Sequence, residues 1–342
     1  MYLSSILRPF GRVGKLAAVA FAAAIGVVAS LLVALAAGSA ASATATCTGK
    51  QIHSGDDLVA LARGCGPGST FYVNGGSYSV AQPIPVESND VWAGVYSDGT
   101  RPQVRGDATP QIFNAGSSNG ATIRGLAISG GDGTLACRPT CGRGVHGGFN
   151  LLLQNVRVYD NDNQGVAGQH PGLVIRDSEL DHNGIPEFYQ DATYAGAAGV
   201  KSVNSFAVYN SYVHDNAWNG VWCDLECGRF EVHDSRIVAN GKHGVFFEMS
   251  SGPAVVEGNR FARNGKRVSL MNRQAAGLSV TSSRNLNAYG NTFAGNNHTA
   301  GFRAIENSRA PDLGGISFHD NTMNGDTRRG CATTGVTCKN NN

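Results

Sequence analysis

Seven apolar residues recur along the chain: Val158, Leu180, Val213, Ile237, Phe261, Phe293 and Met323. Three residues after each of the first six stands an asparagine, Asn161, Asn183, Asn216, Asn240, Asn264 and Asn296, and after Met323 stands Asp326. The steps of 22, 33, 24, 24, 32 and 30 residues are too uneven for a helical array and suit a solenoid with loops of variable length. Each copy also carries a short stretch of alternating apolar and polar residues, such as "FEVHDSRIV" or "FAVYNSYV", which is the period of a strand. An asparagine at the same corner of every coil can bond its amide to those above and below, as identical side chains do when strands stack in register. The pattern predicts an all-β fold, a single-stranded parallel β-helix.

Strand parity then assigns side chains to faces. In "GVWCDLEC", residues 220–227, alternation sends Val221, Cys223 and Leu225 inward and leaves Trp222 and Asp224 outside; in "GVFFEMSS", residues 244–251, Val245, Phe247 and Met249 go in and Phe246 and Glu248 come out. Aligned on the glycine, the coils present two outward columns. One runs His146, Ala167, Lys201, Trp222, Phe246, Ser279, Arg303; the other runs Gly148, Gln169, Val203, Asp224, Glu248, Thr281, Ile305. Neighbouring coils lie about 4.8 Å apart, so Asp224 and Glu248 are expected as stacked carboxylates beside stacked Trp222 and Phe246, with Lys201 one coil away. Two long insertions leave from one corner and are expected to wall a cleft over this patch: residues 184–198, which include Tyr194, and residues 265–276, which include Arg273.

The segment "DDLVALARGCGPGSTFYVNGGSYSV" joins a short amphipathic helix, Asp57 to Arg63, to P-G-x-T, a strand and G-x-Y. With "GVKSVNS", "NAWNGVWCDLE" and "ANGKHGVFFEMSSGPAVVEGN", it resembles secreted bacterial right-handed parallel β-helix repeat proteins of the pectate-lyase-like superfamily, in a subgroup without an established reaction. The resemblance covers residues 47 to 330 and implies a right-handed solenoid whose first coil is capped by the short helix. The known enzyme motifs of the superfamily are incomplete here. "GKHG" at 241–244 stands where a polygalacturonase-type hydrolase has G-H-G, and the paired aspartates and R-x-K of those enzymes are missing. "VWCD" matches the start of the V-W-x-D-H element of pectate lyases, but Leu225 replaces its histidine, and "RPQVR" at 101–105 lies in the opening coils, far from the patch.

Composition limits what such a solenoid meets. Residues 1–45 hold Arg8, Arg12 and Lys15, an apolar run from Leu16 to Gly38 and the small-residue ending "ASATA", the order of a secretory signal cleaved after Ala43 or Ala45. The apolar run is also long enough to serve as an uncleaved anchor. The expected organisation is a signal peptide over 1–45, the β-helix over 46–330 and a disulfide-closed tail over 331–342, in a secreted monomer with no membrane contact once mature. The full chain has 27 Lys+Arg and 25 Asp+Glu; without the three basic residues of the leader the balance is 24 to 25, which gives no electrostatic footprint for nucleic acid. Eight cysteines fall into near neighbours, Cys47 with Cys65, Cys137 with Cys141, Cys223 with Cys227 and Cys331 with Cys338, and export favours four local disulfides over metal binding.

Stacked like charges oppose folding, and one of two close carboxyls ordinarily has a raised pKa, so Asp224 and Glu248 are candidate catalytic groups with Lys201. Two chemistries suit a groove of this kind. A glycoside hydrolase uses one carboxyl as acid and the other as nucleophile or base. A uronate lyase uses a base such as Lys201, with calcium on the acids to neutralise the substrate carboxylate. Hydrolysis requires no cofactor. Trp222 and Phe246 are expected to offer apolar faces to a polysaccharide, with His243, Tyr194, Arg273 and Arg303 as further substrate contacts. His146, His170, His182 and His214 read as turn or surface residues; His243 differs because its corner leads straight into the Glu248 strand. The competing reading is a non-catalytic carbohydrate-binding or cell-surface structural protein.

Overall fold

The computed structural model describes residues 44–342 apart from 98, 135–136, 138–139, 186–195, 267–274, 297–299 and 307–312. Residues 1–43 of the expected leader, Tyr194 and Arg273 therefore lie outside the described residues. Among the described residues, no helix is long and apolar enough to cross a membrane.

The strands form three parallel sheets, one of twelve strands and two of ten, and each turn of the chain adds one strand to each sheet in the same order. Leu173–Arg176, Glu179–Asp181 and Ala198–Ser202 make one such coil, and Phe206–Tyr209, Tyr212–His214 and Asn219–Asp224 make the next. Neighbouring strands of these sheets pair in parallel, and the result is an all-β right-handed parallel β-helix. At its N-terminal end, the helix Leu58–Arg63 starts at Asp57, whose carboxylate accepts from the Val59 and Ala60 amides. Its buried residues Leu58, Val59 and Ala62 belong to the one continuous apolar core that fills the solenoid.

The asparagine ladder forms as expected at the corner where the second strand of each coil hands over to the third. The Nδ2 of Asn161 donates to Asn183, Asn183 to Asn216, Asn216 to Asn240, Asn240 to Asn264 and Asn264 to Asn296, at 2.9–3.0 Å, and Asn296 ends the row on Asp326. Each Nδ2 from Asn183 onward also donates to a backbone carbonyl deeper in the coil, such as Val213 for Asn240. The ladder explains the glycine that opens each repeat. A Cβ on Gly220 would lie 2.6 Å from the Gly244 carbonyl and 2.8 Å from the Asn240 amide nitrogen.

A second ladder stands at the corner between the first and second strands. There Ser178, Ser211, Ser235, Asn259, Asn291, Asn321 and Asn341 pass hydrogen bonds from coil to coil. Each of these residues follows one in the left-handed region, such as Asp177 (φ 54°), Asn210 (φ 43°) and Asp234 (φ 49°), types that tolerate that conformation, or Gly258 (φ 66°). Asn341 and the strand Val336–Lys339, which pairs with Ile316–His319, place the segment after Cys331 inside the last coil of the solenoid.

Three disulfides form: Cys47–Cys65, Cys223–Cys227 and Cys331–Cys338. The fourth expected pair does not: Cys137 and Cys141 remain thiols. Cys137 sits exposed in a turn closed by Thr140, whose amide and hydroxyl both donate to the Cys137 carbonyl, while Cys141 is buried against the Gly133 carbonyl. Burial, with the neighbouring Cys137 thiol, pushes Cys141 up to about 12.

Candidate active site

The third sheet of each coil carries the candidate residues, and its register is the one the repeats imply. His146 pairs with Ala167, Ala167 with Lys201, Lys201 with Trp222, Trp222 with Phe246, Phe246 with Ser279 and Ser279 with Arg303. Asp224 pairs with Glu248, and Glu248 with Thr281. The inward set differs at its end. Leu225 (φ 53°) and Met249 (φ 45°) occupy the left-handed turn that closes each strand, so Leu225 is 53% exposed and Met249 is only partly buried. The Cys223–Cys227 bridge spans that turn directly behind Asp224.

Trp222, Phe246 and Asp224 face out of the solenoid and are nonetheless covered, at 6%, 6% and 7% exposure. Trp222 and Phe246 form a small cluster with Ala198, separate from the main core. Within it the Lys201 ammonium lies 3.7 Å from the centre of the Trp222 ring and 2.9 Å from Asp224 Oδ2. Phe246 follows on the next coil, 5.6 Å from Trp222 centroid to centroid. The Trp222 ring is thus flanked by Lys201 and Phe246 along the column and is not the open stacking face expected from sequence. Its Nε1–H instead donates to Glu248 Oε2 at 3.1 Å.

Glu248 is mostly buried, and its carboxyl is pushed up to about 7 by desolvation and then by the Asp224 charge, against the pull of Lys242, the Trp222 N–H and Lys201. Lys242, which sequence reasoning passed over, is the second perturbed group. Its ammonium sits 4.7 Å above Trp218 and 5.6 Å from the Phe246 ring, and burial pushes it down to about 8. In sequence Lys242 stands one repeat of 24 residues after Trp218, and in the structure the Lys242 amide donates to the Trp218 carbonyl.

His243 packs on Phe246 at 4.6 Å and is 1% exposed; burial, Lys242 and Arg303 hold it well below the usual imidazole range. Its Nδ1, the Asn219 Nδ2 and the Ser279 Oγ are all buried without a protein hydrogen-bond partner. Three such atoms on adjacent coils are costly unless a ligand or water meets them, at roughly 1–3 kcal/mol each. Arg303 continues the column beyond Ser279, half-buried, and burial and then Arg329 lower its pKa. The structure therefore brings Lys201, Trp222, Asp224, Phe246, His243, Glu248 and Arg303 onto one sheet face.

Calcium does not fit this donor set. It takes six to eight oxygens, whereas Asp224 is engaged by Lys201, and Lys242 and Trp222 act on Glu248. Among the described residues, one group of acids and histidine could surround a metal ion, Glu179, Asp181 and His214 on the second strands. There the buried Asp181 already receives two bonds from Arg157, at 3.0 and 2.8 Å, and one from His182. His214, expected at the surface, is buried and bridges Glu179 and Asp215 at 3.0 and 2.9 Å.

The family model described as right handed beta helix region matches residues 111–293 and 187–342. Among solved structures, the catalytic unit of a thermostable GH87 alpha-1,3-glucanase from Streptomyces thermodiastaticus is similar at 14% identity and a TM-score of 0.53, over 83% of this chain and 63% of that one. The A-module of mannuronan C-5 epimerase AlgE4 from Azotobacter vinelandii is similar at 15% identity and a TM-score of 0.43, over 83% and 89%. PfbA, a surface adhesin of Streptococcus pneumoniae, is similar at 11% identity and a TM-score of 0.38, over 86% and 89%. No curated protein matches the chain in sequence. At these identities the likeness is one of fold, and any chemistry has to be argued from the side chains.

Proposed function

Since the chain belongs to the right-handed beta helix region family, we propose that it is a secreted, monomeric carbohydrate-active protein that hydrolyses a polysaccharide at the Asp224–Glu248 pair. The observation that carries this reading is the divergence of two neighbouring carboxyls. Asp224 is ion-paired with Lys201 at 2.9 Å, while Glu248 is pushed up to about 7. One acid that keeps its proton near neutrality beside one held against a cation is the arrangement glycosidic cleavage needs.

In this reading Glu248 gives its proton to the departing glycosidic oxygen. Asp224 attacks or activates water from one strand away, a spacing of about 4.8 Å that is nearer to the about 5–5.5 Å of a retaining pair than to the wider inverting one. Trp222 positions Glu248 through its N–H.

Lys242 favours a second reading. An amine pushed down to about 8 beside Arg303 could abstract the proton next to a uronate carboxylate, with Arg303 holding that carboxylate. A polysaccharide panel read for reducing ends and for the absorbance of unsaturated uronates separates the two. Reducing ends without absorbance are expected; absorbance would move the chemistry to Lys242. Retention of a glycan with no product under any condition would leave a binding module.

A further inference from the structure

A groove of 420 Å³ lies at the corner between the first and second strands of the coils, the corner that the candidate active-site sheet does not touch. It runs across four successive coils, from Val156 to Arg236, a length of about 14 Å at the spacing of stacked strands. One wall is the row of left-handed turn residues Asp177, Asn210 and Asp234, all exposed. The other wall is the in-register row Glu179, Tyr212 and Arg236. One end is closed by Arg101, held by the Tyr96 hydroxyl at 3.0 Å and by Asn155 at 2.9 Å.

The floor has no spare capacity, because the Ser178 and Ser211 hydroxyls are spent in the second ladder. The walls keep theirs. Asp177 accepts from the Asn210 amide at 2.8 Å and retains further lone pairs. Among the described residues, Asp234 has no side-chain partner and the Arg236 guanidinium makes no ion pair, resting 4.6 Å above the Tyr212 ring. That ring is also stacked on His214 at 3.8 Å.

This chemistry excludes most ligands. The backbone along the corner is hydrogen-bonded from coil to coil, so a peptide cannot add as a strand. Three carboxylates, Asp177, Glu179 and Asp234, against two guanidiniums, Arg101 and Arg236, leave the lining net acidic and oppose an anionic polymer, and these charged groups disfavour a wholly apolar ligand while leaving apolar surface for the C–H faces of a sugar. What fits is a chain of hydroxyls: carboxylate and amide oxygens accept O–H donors, and guanidinium groups donate to ring and hydroxyl oxygens. We propose that the groove is a second, non-catalytic site for a neutral, hydroxyl-rich oligosaccharide, held along the solenoid axis.

The site is independent of the hydrolytic reading. Calorimetric titration with neutral hexaoses (β-1,3- and β-1,4-glucan, α-1,4-glucan and mannan) is expected to show millimolar or tighter binding of at least one. Asp234→Asn with Arg236→Ala, both at exposed positions, is expected to weaken that binding about tenfold or more with an unchanged melting curve. Glu248→Gln and Trp222→Phe are expected to leave it intact. The proposal is overturned if no neutral hexaose binds at millimolar concentration, if binding survives the groove variant, if it is lost in Glu248→Gln, or if an acidic uronan binds more tightly than any neutral glycan.

Discussion

Replacing Glu248 by Gln removes one ionisable group and almost nothing else, because the amide oxygen can still accept the Trp222 Nε1–H that now reaches Oε2 at 3.1 Å. Burial pushes the folded carboxyl up to about 7, against 4.5 for an ordinary glutamate. Between those values the unfolded chain has released a proton that the folded chain still holds, so stability is complete below about pH 4.5 and falls as pH rises through 7. A shift of that size corresponds to roughly 2–3 kcal/mol, at about 1.4 kcal/mol per pKa unit and with allowance for the residual exposure of the side chain. Glu248→Gln should therefore match the wild type at pH 4 and exceed it by about 2–3 kcal/mol at pH 8, read from urea midpoints at constant m. The same variant should lower turnover by a factor on the order of 10² to 10⁴, the loss expected of a general acid. Identical pH dependence of stability in the two proteins would refute the buried-carboxyl argument. A stabilised variant with undiminished turnover would refute the catalytic one and leave the electrostatics standing.

Two further substitutions probe the wall and the scaffold. Trp222→Phe keeps a ring in the cluster and deletes the hydrogen bond to the ionised form of Glu248, so the alkaline limb of the pH–rate profile should move up by about one unit; a fixed or falling limb would mean that the N–H does not act on Glu248. Asn240→Ala strips a ladder rung, leaving the Asn216 amide group and backbone N–H without their acceptor and the Val213 carbonyl without its donor. A loss on the order of 3–5 kcal/mol in denaturant unfolding is expected from several buried groups at roughly 1–3 kcal/mol each, and a loss under 1 kcal/mol would show that the rungs contribute little.

What could be read without coordinates was whatever repeats. The corner asparagines, the opening glycine and the alternation of "GVWCD" and "GVFFE" constrain one another, since slipping a strand by one residue would turn Trp222 and Asp224 into the core. That mutual constraint placed Lys201, Trp222, Phe246, Ser279 and Arg303 in one column, and Asp224 opposite Glu248. Alternation misled where the strand ends: it sent Leu225 and Met249 inward because a parity rule has no knowledge of a left-handed turn. The second ladder went unread because it changes residue type midway, from Ser178, Ser211 and Ser235 to Asn259 and Asn291, although an Asp, Asn or Gly precedes each one. Proximity in sequence and the expected export suggest a Cys137–Cys141 pair, while the Thr140 turn and the burial of Cys141 set their environment. Lys242 was missed for a different reason. Its importance lies in burial against Trp218 and Phe246, and a lysine beside a glycine ordinarily reads as a solvated turn.

The position of the perturbed groups along the solenoid is itself informative. Asp224, Lys242, His243 and Glu248 crowd onto two adjacent coils, and the same coils carry Asn216 and Asn240 in the continuous part of the buried ladder. Other charged side chains of the neighbouring sheet find ordinary partners, as where Tyr209 donates to Glu231 and Tyr289 to Glu257. A fold that needed only a covered face could have used such pairs on these coils as well. Instead a raised carboxyl, a lowered amine and three buried polar atoms without a protein partner fall on these two coils and the next. Misfit of that kind is tolerated only when the scaffold over-determines it, and a polar ladder locked at each corner of the same coils supplies that rigidity. The cost of the site and the stiffness of its support are thus placed together, as a site that must hold two carboxyls one strand apart requires.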